Sequence, residues 1–511
     1  MRRLAQTTQR MLAATGSVAA LAAALSACTV GPNYRPTPQP APPAYDEAKP
    51  TSRTAIVTAQ GDLSTWWTQF QDPVLDDLIR RALADNPDLQ TADSRVRQAR
   101  QQVRVTAAAE LPTINASGNA VTLNSNRPSQ SASASTATAA GAAGAAGAAG
   151  AAASGLPLPS HANLYSVGFD ATWELDLFGG TRRAVEAAKD SVEAAEWARR
   201  DGQVSLLAEV ANDYMTLRAI QVRIAIGEAE LKRQQDLFRL VQARRQSGFT
   251  TDLDVNQQSV QVATAAAMIP QLDAQARAQI HALGVLVGQP PEALTDQLKP
   301  AKDPAPLPPA PPSLPVGLPS DLLLRRPDLR EAERRVAAAN AQIGVQEAAL
   351  YPSVNLLGLG SFAGLSLDNL FSHQNLQSVG VGLVSLPVFN AGKTRASIAA
   401  AREEKIQADL AYRKAVLAAF QDVEDALARF RSEDARRTSL VQSVNSSLNS
   451  LKIAQDQYAT GSTPFNNVLQ SENALLNSRD QLTQSDAQTL SDLVSLYKAL
   501  GGGYEPPPSK G

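Results

Sequence analysis

The sequence contains the same series of motifs twice, and this internal repeat constrains the fold more than any single motif does. The matching stretches are 86–89 with 326–329, 111–115 with 351–355, 181–182 with 394–395, and 247–248 with 460–461. The numbering offset is 240 for the first two pairs and 213 for the last two, so the first copy is longer by 27. A Ser/Thr/Ala tract followed by Gly-Ala-Ala repeats, at 129–155, accounts for this excess. The chain is therefore predicted to contain two copies of one unit of roughly 200 residues.

The first residues form a predicted targeting segment. Arg2, Arg3 and Arg10 precede an apolar stretch rich in Ala and Leu, which ends at Cys28. The residues 25–28, Leu-Ser-Ala-Cys, resemble a bacterial lipobox, and this resemblance implies a mature N-terminus at Cys28 that carries covalent lipid such as palmitate. An ordinary signal peptide with an incidental cysteine is the alternative. Cys28 is the only cysteine in the chain, which excludes a disulfide within it.

Two proline-rich stretches divide the mature chain. Seven prolines between Gly31 and Pro50 indicate an extended tether, and nine between Pro300 and Pro319 indicate a linker that is neither helix nor central strand. The predicted organisation is a signal peptide at 1–27, an anchor and tether at 28–60, a first repeat at 61–300, a linker at 301–319, a second repeat at 320–502 and a tail at 503–511.

Each repeat is predicted to begin with a helix that stops before a proline and to continue with two strands. The helices cover about 88–110 and 328–350. The predicted strands lie near 113–123, 164–174, 353–363 and 378–387. The pattern is clearest at 164–174, where apolar residues including Phe169 and Trp173 alternate with polar residues. In the last strand, Val379, Val381 and Leu383 alternate with glycines and are expected to be the apolar counterpart.

Strands of this period fit either a membrane barrel or a half-buried soluble sheet. Four strands are too few to close a membrane barrel, and an open sheet in lipid would leave its edges unpaired. If these strands span a membrane, several chains must share one barrel.

The rest of each repeat is predicted to be a long helical hairpin, at 181–287 and 393–500. The stretch 181–247 has no proline and two glycines, and would extend about 100 Å as a straight helix. Apolar residues recur at intervals of seven, which favours coiled-coil packing. Gly248 and Gly461 end the first helix of each hairpin, as expected for residues at the C′ position.

Charge and composition exclude several functions. The 47 basic and 49 acidic residues give no positive excess for nucleic acid. His161, His281 and His373 have no triad or metal spacing, and beyond the targeting segment only Met215 and Met268 remain as methionines. We expect no enzyme activity, no metal site and no cofactor apart from the lipid.

Several longer motifs resemble those of one family. They are Cys28-Thr29-Val30-Gly31-Pro32-Asn33-Tyr34, Trp66-Trp67 with Phe70 and Asp72-Pro73, the stretch 173–179, Leu324-Arg325-Arg326-Pro327-Asp328-Leu329-Arg330 with Glu333, the stretch 339–344, and Leu496-Tyr497-Lys498-Ala499-Leu500-Gly501-Gly502. In these motifs the chain resembles the TolC-like outer membrane factors, in particular the efflux lipoproteins of the OprM/NodT type.

This resemblance implies an α+β membrane protein with two internal repeats. Three chains would each contribute four strands to one 12-stranded barrel in the outer membrane, continued by a helical barrel in the periplasm. The implied partners are a periplasmic adaptor and an inner-membrane transporter of the resistance-nodulation-division class. The implied function is that of a passive duct in drug efflux. Thr29 after the cysteine implies the outer rather than the inner membrane.

The resemblance also assigns roles to the hairpin tips. Gly248, Thr250, Gly461 and Ser462 would dock the adaptor. The periplasmic gate would include acidic Asp252 and Asp254, the uncharged Asn467 and Gln470 where relatives often carry Asp, and Tyr458. Asp254 and Tyr458 would contribute to a lock between helices, while Asn467 and Gln470 would form a polar constriction. For Asp254, a charge favoured at a helix N-terminus is the alternative.

Two other functions remain open at the level of sequence. One is a conduit for type I protein secretion, in which the duct works with an ABC transporter. The other is a coiled-coil lipoprotein that tethers the envelope, although the four amphipathic strands have no use in a tether. The resemblance implies that the Gly/Ala-rich tract at 129–155 is an extracellular loop, and its composition predicts a flexible segment.

Overall fold

The computed structural model describes residues 29–51, 54–57, 61–124, 161–300 and 307–505. The signal peptide, Cys28, the tract at 129–155 and the last residues of the tail lie outside the described residues. The helices are α1 (Pro73–Asp85), α2 (Pro87–Ala107), α3 (Gly180–Gln246), α4 (Asp252–Leu286), α5 (Pro319–Arg325), α6 (Pro327–Ala348), α7 (Lys393–Ala459) and α8 (Phe465–Ala499). The strands are β1 (Ala55–Val57), β2 (Thr113–Asn124), β3 (His161–Leu175), β4 (Ser313–Pro315), β5 (Ser353–Gly364) and β6 (Leu376–Ser385).

The described helices include none with an apolar stretch long enough to cross a membrane. The chain divides into two compact units, the first from residues 1–35, 98–192 and 335–408, and the second from residues 36–97, 193–334 and 409–511.

The first unit contains a four-stranded antiparallel sheet in the order β2-β3-β5-β6. In its register Thr113 lies opposite Thr172, Trp173 opposite Leu356, and Ser353 opposite Ser385. Side chains alternate between the faces of a strand, so this register sorts the residues onto two sides. We call the side that carries Phe169 and Trp173 the aromatic face, and the side that carries Asp170 and Thr172 the polar face.

The last strand differs from the sequence prediction in two ways. Leu356 pairs with Gly382, so the glycines of β6 lie on the aromatic face, whereas Val379, Val381 and Leu383 lie on the polar face. Pairing with β5, rather than the residue pattern of β6 alone, fixes which side faces which way. The strand also ends at Ser385 and not at 387, two residues before Pro387, which has no N–H to donate to a neighbouring strand.

The second unit is built around buried aromatic residues. Trp66 stacks on Tyr497 with ring centroids 5.0 Å apart and an interplanar angle of 18°. The hydroxyl of Tyr497 donates to Oε1 of Gln69 at 2.8 Å, so the buried ring keeps its polar atom bonded. The apolar stripe of α1, formed by Leu75, Leu78, Ile79 and Ala82, is also buried in this unit.

Two helices were not expected from the sequence, α1 and α5. Asp72 caps α1 by accepting from the backbone N–H groups of Val74 at 2.9 Å and Leu75 at 3.4 Å, and Pro73 occupies the first turn. This is the usual start signal of a helix, and the apolar spacing of α1 repeats at intervals of three and four. Both signals are present in the sequence, but the sequence prediction begins each repeat with the longer helix that follows.

The proline-rich stretch 301–319 also holds more structure than the linker predicted there. Residues 313–315 form β4, which pairs in parallel with β1. A two-stranded sheet has only edge strands, where proline is tolerated, and Pro319 occupies the first turn of α5, where no N–H is needed. Proline therefore excludes only the interior of a helix and the central strands of a sheet from this stretch.

The long helices pack closely where small residues allow it. A Cβ atom added to Gly227 of α3 would lie 3.1 Å from Cε of Met268 and 3.6 Å from Cγ1 of Ile269 in α4. The apolar residues at intervals of seven, Val210, Leu217 and Ile224, are buried. These contacts form the close seam that the heptad pattern predicts.

Candidate functional site: the anchor segment and the hairpin tips

The residues that follow Cys28 are held firmly in the first unit. We call residues 29–33 the anchor segment. The backbone N–H of Val30 donates to the carbonyl of Phe178 at 3.1 Å. Asn340 donates from Nδ2 to the carbonyl of Pro32 at 2.8 Å. The segment is therefore bonded to two separate parts of the unit.

Arg183 makes most of the polar contacts with the anchor segment. Its guanidinium donates to the carbonyls of Val30 at 3.0 Å and Gly31 at 3.1 Å, and to Oδ1 of Asn33 at 2.7 Å. Only 4% of Arg183 is exposed, and Glu186 balances its charge across 2.7 Å. Buried hydrogen bonds to a charged donor are stronger than neutral ones, so Arg183 fixes the path of the segment.

Glycines allow the segment to approach the unit this closely. Gly31 has φ of +92°, and an added Cβ would clash with the Cα of Gly344. Gly179 has φ of +82°, and an added Cβ would lie 3.0 Å from the Cα of Thr29. The sequence marked Cys28 as the lipidation site but carried no sign that Arg183 binds the residues after it.

The two hairpin tips begin with the same turn. Gly248 has φ of +78° and Gly461 has φ of +75°. The N–H of Phe249 donates to the carbonyl of Arg244, and the N–H of Ser462 to that of Gln457, both at 2.9 Å. These are the six-residue bonds of a Schellman motif, which satisfies the last carbonyls of a helix.

The tips differ in how the returning helix begins. In the first tip Thr251 caps α4, and Asp254 completes a capping box by accepting from the N–H of Thr251 at 3.1 Å. In the second tip Pro464 occupies the cap position of α8 and supplies no side-chain cap bond. Asn467 instead donates to Oγ1 of Thr463 at 2.6 Å.

The acidic residues of the first tip bond within their own turn. Asp254 also accepts from the Thr250 hydroxyl. Burial acts to raise the pKa of Asp254, but the hydrogen bonds from Thr250 and Thr251 outweigh it and lower that pKa below its ordinary value. The hydrogen bond from the Arg245 guanidinium, 2.7 Å away, likewise lowers the pKa of exposed Asp252. For Asp254 this geometry matches the alternative role, a charge at a helix N-terminus.

Tyr458 makes contacts across elements. Its ring lies 5.2 Å from the ring of Phe465 in α8, and the guanidinium of Arg244 in α3 lies 4.7 Å from the Tyr458 ring centroid. A small apolar cluster surrounds this point, with Val241, Leu451, Phe465 and Val468 buried in it. Cation–π and aromatic contacts of this kind tie the two hairpins together near their tips. Asn467 and Gln470 lie exposed on the first turns of α8.

A buried polar network between the hairpins was not predicted. Gln234 donates from Nε2 to Glu230 at 2.5 Å and to Glu472 at 2.9 Å, and Gln258 donates to Oε1 of Gln234 at 2.5 Å. All four are at most 5% exposed. Burial raises the pKa of Glu472 above its ordinary value, although the Gln234 hydrogen bond and the Arg233 charge oppose this. The sequence shows these four polar residues but no pattern that brings them together.

The Arg326-Pro327-Asp328 motif lies in the second unit, beside the end of α8. Arg326 binds Asp328 at 2.7 Å and Asp422 at 3.0 Å, and donates to the carbonyl of Ala499 at 3.1 Å. Arg326, Asp328 and Asp201 line a cavity of about 330 Å³. Burial raises the pKa of Asp201 to about 6. This motif therefore satisfies the carboxyl end of a helix.

The described residues contain no group of three or more potential metal ligands.

Comparisons with known proteins give these features a family context. Residues 78–289 and 318–502 match the family model described as outer membrane efflux protein. The pyoverdine export outer membrane protein OpmQ of Pseudomonas aeruginosa is 32% identical over 450 residues, covering 87% of this chain and 88% of that protein. Nodulation protein T of Rhizobium leguminosarum bv. viciae is 28% identical over 492 residues, covering 96% and 94%.

Solved structures agree with this relationship. The outer-membrane channel OprN has a TM-score of 0.80 and 32% identity, and the match covers 93% of this chain and 100% of OprN. The MtrE outer membrane channel of Neisseria gonorrhoeae, solved in its open state, has a TM-score of 0.75 and 26% identity, and the match covers 94% and 99%. The matched ranges span most of both halves of the sequence. The chain therefore belongs to the outer membrane efflux protein family.

Proposed function

We propose that three copies of this chain form the outer membrane channel of a tripartite efflux pump. Each copy contributes four strands to a 12-stranded barrel, and the long helices form a periplasmic helical barrel. The observation that carries this proposal is the four-stranded sheet, whose edge strands β2 and β6 have only one neighbour each among the described residues. In a chain of this family, we expect the free edges to pair with strands of further copies.

The physical argument for sharing a barrel concerns the edges of the sheet. In lipid no water is present to bond the free N–H and C=O groups of an edge strand. Barrels of the outer membrane have eight or more strands, so one chain cannot close alone. Exposed apolar side chains on the sheet, including Phe169 at 65% and Ile114 at 68%, fit a surface that faces lipid or another copy.

We propose further that the two halves are structural repeats. The first helix of each hairpin has 67 residues, and the second has 35 residues in both halves. The strands β2 and β5 both have 12 residues. Equal lengths at corresponding places support duplication of one unit.

The lipid and the tips complete the proposal. Lipid on Cys28 anchors the chain, and the anchor segment carries this lipid at a fixed place on the first unit. The turns at Gly248, Thr250, Gly461 and Ser462 dock a periplasmic adaptor, and the adaptor connects to an inner-membrane transporter of the resistance-nodulation-division class. Support for the tips as docking points comes from their exposure, which reaches 81% at Phe249.

The gate is proposed to lie just beyond the tips. Asp252 and Asp254 face it from the first hairpin, and Asn467 and Gln470 form its uncharged part. Tyr458 holds the hairpins together through Phe465 and Arg244. The duct itself is passive, since transport is driven by the inner-membrane transporter.

The experiment that tests the function is crosslinking in living cells followed by mass spectrometry. Photo-crosslinking residues are placed at Thr250 and at Ser462, and a matched control is placed at Gln275, which is exposed on α4 away from the tip. We expect both tip positions to capture a periplasmic adaptor in complexes that contain a resistance-nodulation-division transporter. We expect no adaptor at Gln275.

Other outcomes would redirect the assignment. Capture of an adaptor together with an ABC transporter would replace drug efflux by protein secretion. Capture of peptidoglycan-layer proteins alone would contradict a channel and favour an envelope tether.

A further inference from the structure

Corresponding elements of the two halves of the chain are separated by constant offsets in residue number. Strand β5 (353–364) begins and ends at an offset of 240 from β2 (113–124). Helix α7 begins at Lys393 and α3 at Gly180, an offset of 213, and Gly392 and Gly179, which precede these helices, both have φ of +82°. The offset of 240 therefore applies to the first strand of each hairpin, and the offset of 213 applies to the start of the long helix.

The strand pairing carries the same two offsets. Thr113 of β2 lies opposite Thr172 of β3, and Ser353 of β5 lies opposite Ser385 of β6. Thr113 and Ser353 are related by the offset of 240, and Thr172 and Ser385 by the offset of 213. Each residue of β6 therefore occupies the place in its hairpin that its counterpart at the offset of 213 occupies in β3.

Strand β3 has an end that β6 lacks. Its last residues, 173–175, extend past the start of β2 and pair with β5 alone, where Leu175 lies opposite Val354. The equivalent residues 386–388 come directly after β6, which has no second neighbour among the described residues. Leu386 is 52% exposed and Val388 is 90% exposed. Leu386 and Val388 are thus apolar residues that follow β6 with no second strand beside them among the described residues.

The partner that completes this edge is defined by the other half of the sheet. In β3 the extension pairs with β5, and the residue equivalent to Val354 of β5 is Ile114 of β2. Ile114 is 68% exposed and lies on β2, at the opposite edge of the same sheet. Pairing β6 with β2 of the same chain would close a barrel of four strands, which is too few. A second copy of this chain presents the required strand.

We infer that β6 and residues 386–388 pair with β2 of a neighbouring copy in the register that β3 and β5 already show. In this register Val384 lies opposite Gly118, Leu386 opposite Ala116, and Val388 opposite Ile114 of the neighbouring copy. The inference rests on the proposed trimeric channel and adds the register of its seams. It keeps the aromatic face continuous, because a slip of one residue would turn every side chain to the other face.

A second register also has support from the sequence, and it predicts a different partner for Val384. Leu386-Pro387-Val388-Phe389 can be aligned with Leu175-Asp176-Leu177-Phe178, which gives an offset of 211. This alignment keeps the same faces but places Val384 opposite Ala116. The pairing of β6 with β5 and the positions of Gly179 and Gly392 favour 213.

Engineered disulfides distinguish the registers in the full-length protein assembled in outer membranes. Three double variants are compared: Val384→Cys with Gly118→Cys, with Ala116→Cys, or with Ala120→Cys. Directly opposite residues have Cα atoms about 4.5–5.5 Å apart, whereas diagonal neighbours are about 7–8 Å apart and cannot be bridged without backbone movement. The unmodified chain controls for any linkage through Cys28.

We expect the Gly118 pair to give covalent trimers on oxidation, and the other two pairs to give roughly tenfold less linked protein. A second pair, Val388→Cys with Ile114→Cys, tests the extension at two exposed positions where folding tolerates change. Native mass spectrometry in detergent reports the number of copies independently of any disulfide.

Each result decides one of the two claims. Trimers that link through the Ala116 or Ala120 pair, or through none, overturn the register and leave the channel proposal standing. A chain that stays monomeric in native mass spectrometry overturns both. Trimers that link through both the Gly118 pair and the Ile114 pair support the register.

Discussion

Arg183 donates a hydrogen bond to Oδ1 of Asn33 across 2.7 Å, and this bond joins the start of the first long helix to the residues that follow Cys28. The same guanidinium holds the carbonyls of Val30 and Gly31. If Cys28 carries the proposed lipid, these bonds fix the chain directly after it.

The first prediction concerns Arg183→Met. We expect the anchor segment to detach, because three acceptors lose a charged donor in a buried site, at a local cost of roughly 2–4 kcal/mol. Hydrogen exchange of residues 29–34 in the purified protein measures this release. Lys189→Met on the exposed side of the same helix is the control and should leave the exchange unchanged.

A glycine variant provides an independent check of the same contact. Gly31→Ala adds a Cβ against the backbone of Gly344 at a positive φ, whereas Gly202→Ala adds one where no atom lies within 4 Å. We expect faster exchange in the anchor segment for the first variant and no change for the second. Unchanged exchange in both Arg183→Met and Gly31→Ala would show that the segment is held by other contacts.

The second prediction concerns the difference between the two tips. Thr251→Ala removes the cap of α4 and should destabilise the first turn by about 1 kcal/mol. At the second tip, Pro464→Ala removes no side-chain cap bond and should change local stability much less. Protease cleavage rates at the tips, measured on the assembled protein, compare the two. Equal effects at both tips would contradict the asymmetry.

The capping box of the first tip also predicts a pH dependence. The pKa of Asp254 is lower in the folded protein than its ordinary value of 3.8, since Thr250 and Thr251 bond its carboxylate. A depressed pKa stabilises the fold above the unfolded value, and this contribution is lost as the pH falls through the folded value. Cleavage at the first tip should therefore accelerate below about pH 4, and Asp254→Asn should remove that acceleration.

How much of this was readable from the sequence depended on whether a signal was local. Helices α2 and α6 end a few residues before Pro112 and Pro352, and Gly248 and Gly461 occupy left-handed turns. These features were readable because proline restricts and glycine permits particular backbone angles by itself. The side of β6 that carries its valines was not readable, since it depends on pairing with β5.

The contacts of Arg183 and the buried Gln234 network illustrate the second limit. Both join residues that are far apart in the chain, such as Arg183 with Asn33 and Gln234 with Glu472. A single sequence shows the donors and acceptors but not which of them meet. The helices α1 and α5 were missed for a different reason. Their start signals, Asp72 with Pro73 for α1 and Pro319 for α5, are local, but a longer helix follows each of them directly.

The third prediction concerns Glu472. Burial raises the pKa of its carboxyl, so the folded state binds this proton more tightly than the unfolded chain does. The associated stability is present below the ordinary value of 4.5 and is lost as the pH rises through the folded value. Glu472→Gln keeps a hydrogen-bonding group beside Gln234 and removes the buried charge. We expect it to raise stability at pH 8 by about 1 kcal/mol and to have little effect at pH 4.

Thermal unfolding at both pH values measures this effect. Glu404→Gln, at an exposed position of α7, is the control and should show no pH-dependent gain. A gain of equal size at pH 4 and pH 8 would mean that the charge of Glu472 is not the cause.

The fourth prediction concerns the Gly/Ala-rich tract. Deleting residues 131–153 should leave assembly and transport largely intact, because the ends of the hairpin are already paired, with Asn124 opposite His161. The stretches that remain between the strands, 125–130 and 154–160, are long enough to close a loop, and loop-closure entropy changes slowly with length. Trimer yield and drug sensitivity of cells that carry the deletion are the measurements. Loss of both would give the tract a role in folding.

The last prediction concerns the uncharged positions at the second tip. Asn467 and Gln470 are exposed on the first turns of α8. If Gln470 lines the constriction, three copies place three uncharged amides around one opening. Gln470→Asp would add three negative charges in a narrow space, where field lines concentrate and raise the local cation concentration.

Single-channel recordings in planar bilayers test this role. We expect Gln470→Asp to raise cation selectivity, measured as the reversal potential in a salt gradient, and to lose this gain at high salt as screening shortens the range of the charges. Ser471→Asp changes the neighbouring residue, whose hydroxyl donates to the carbonyl of Asn467 at 2.9 Å, and controls for charge placed near but not at Gln470. An unchanged reversal potential in Gln470→Asp would remove this residue from the lining of the gate and leave Asn467, Tyr458 and the first tip as its remaining parts.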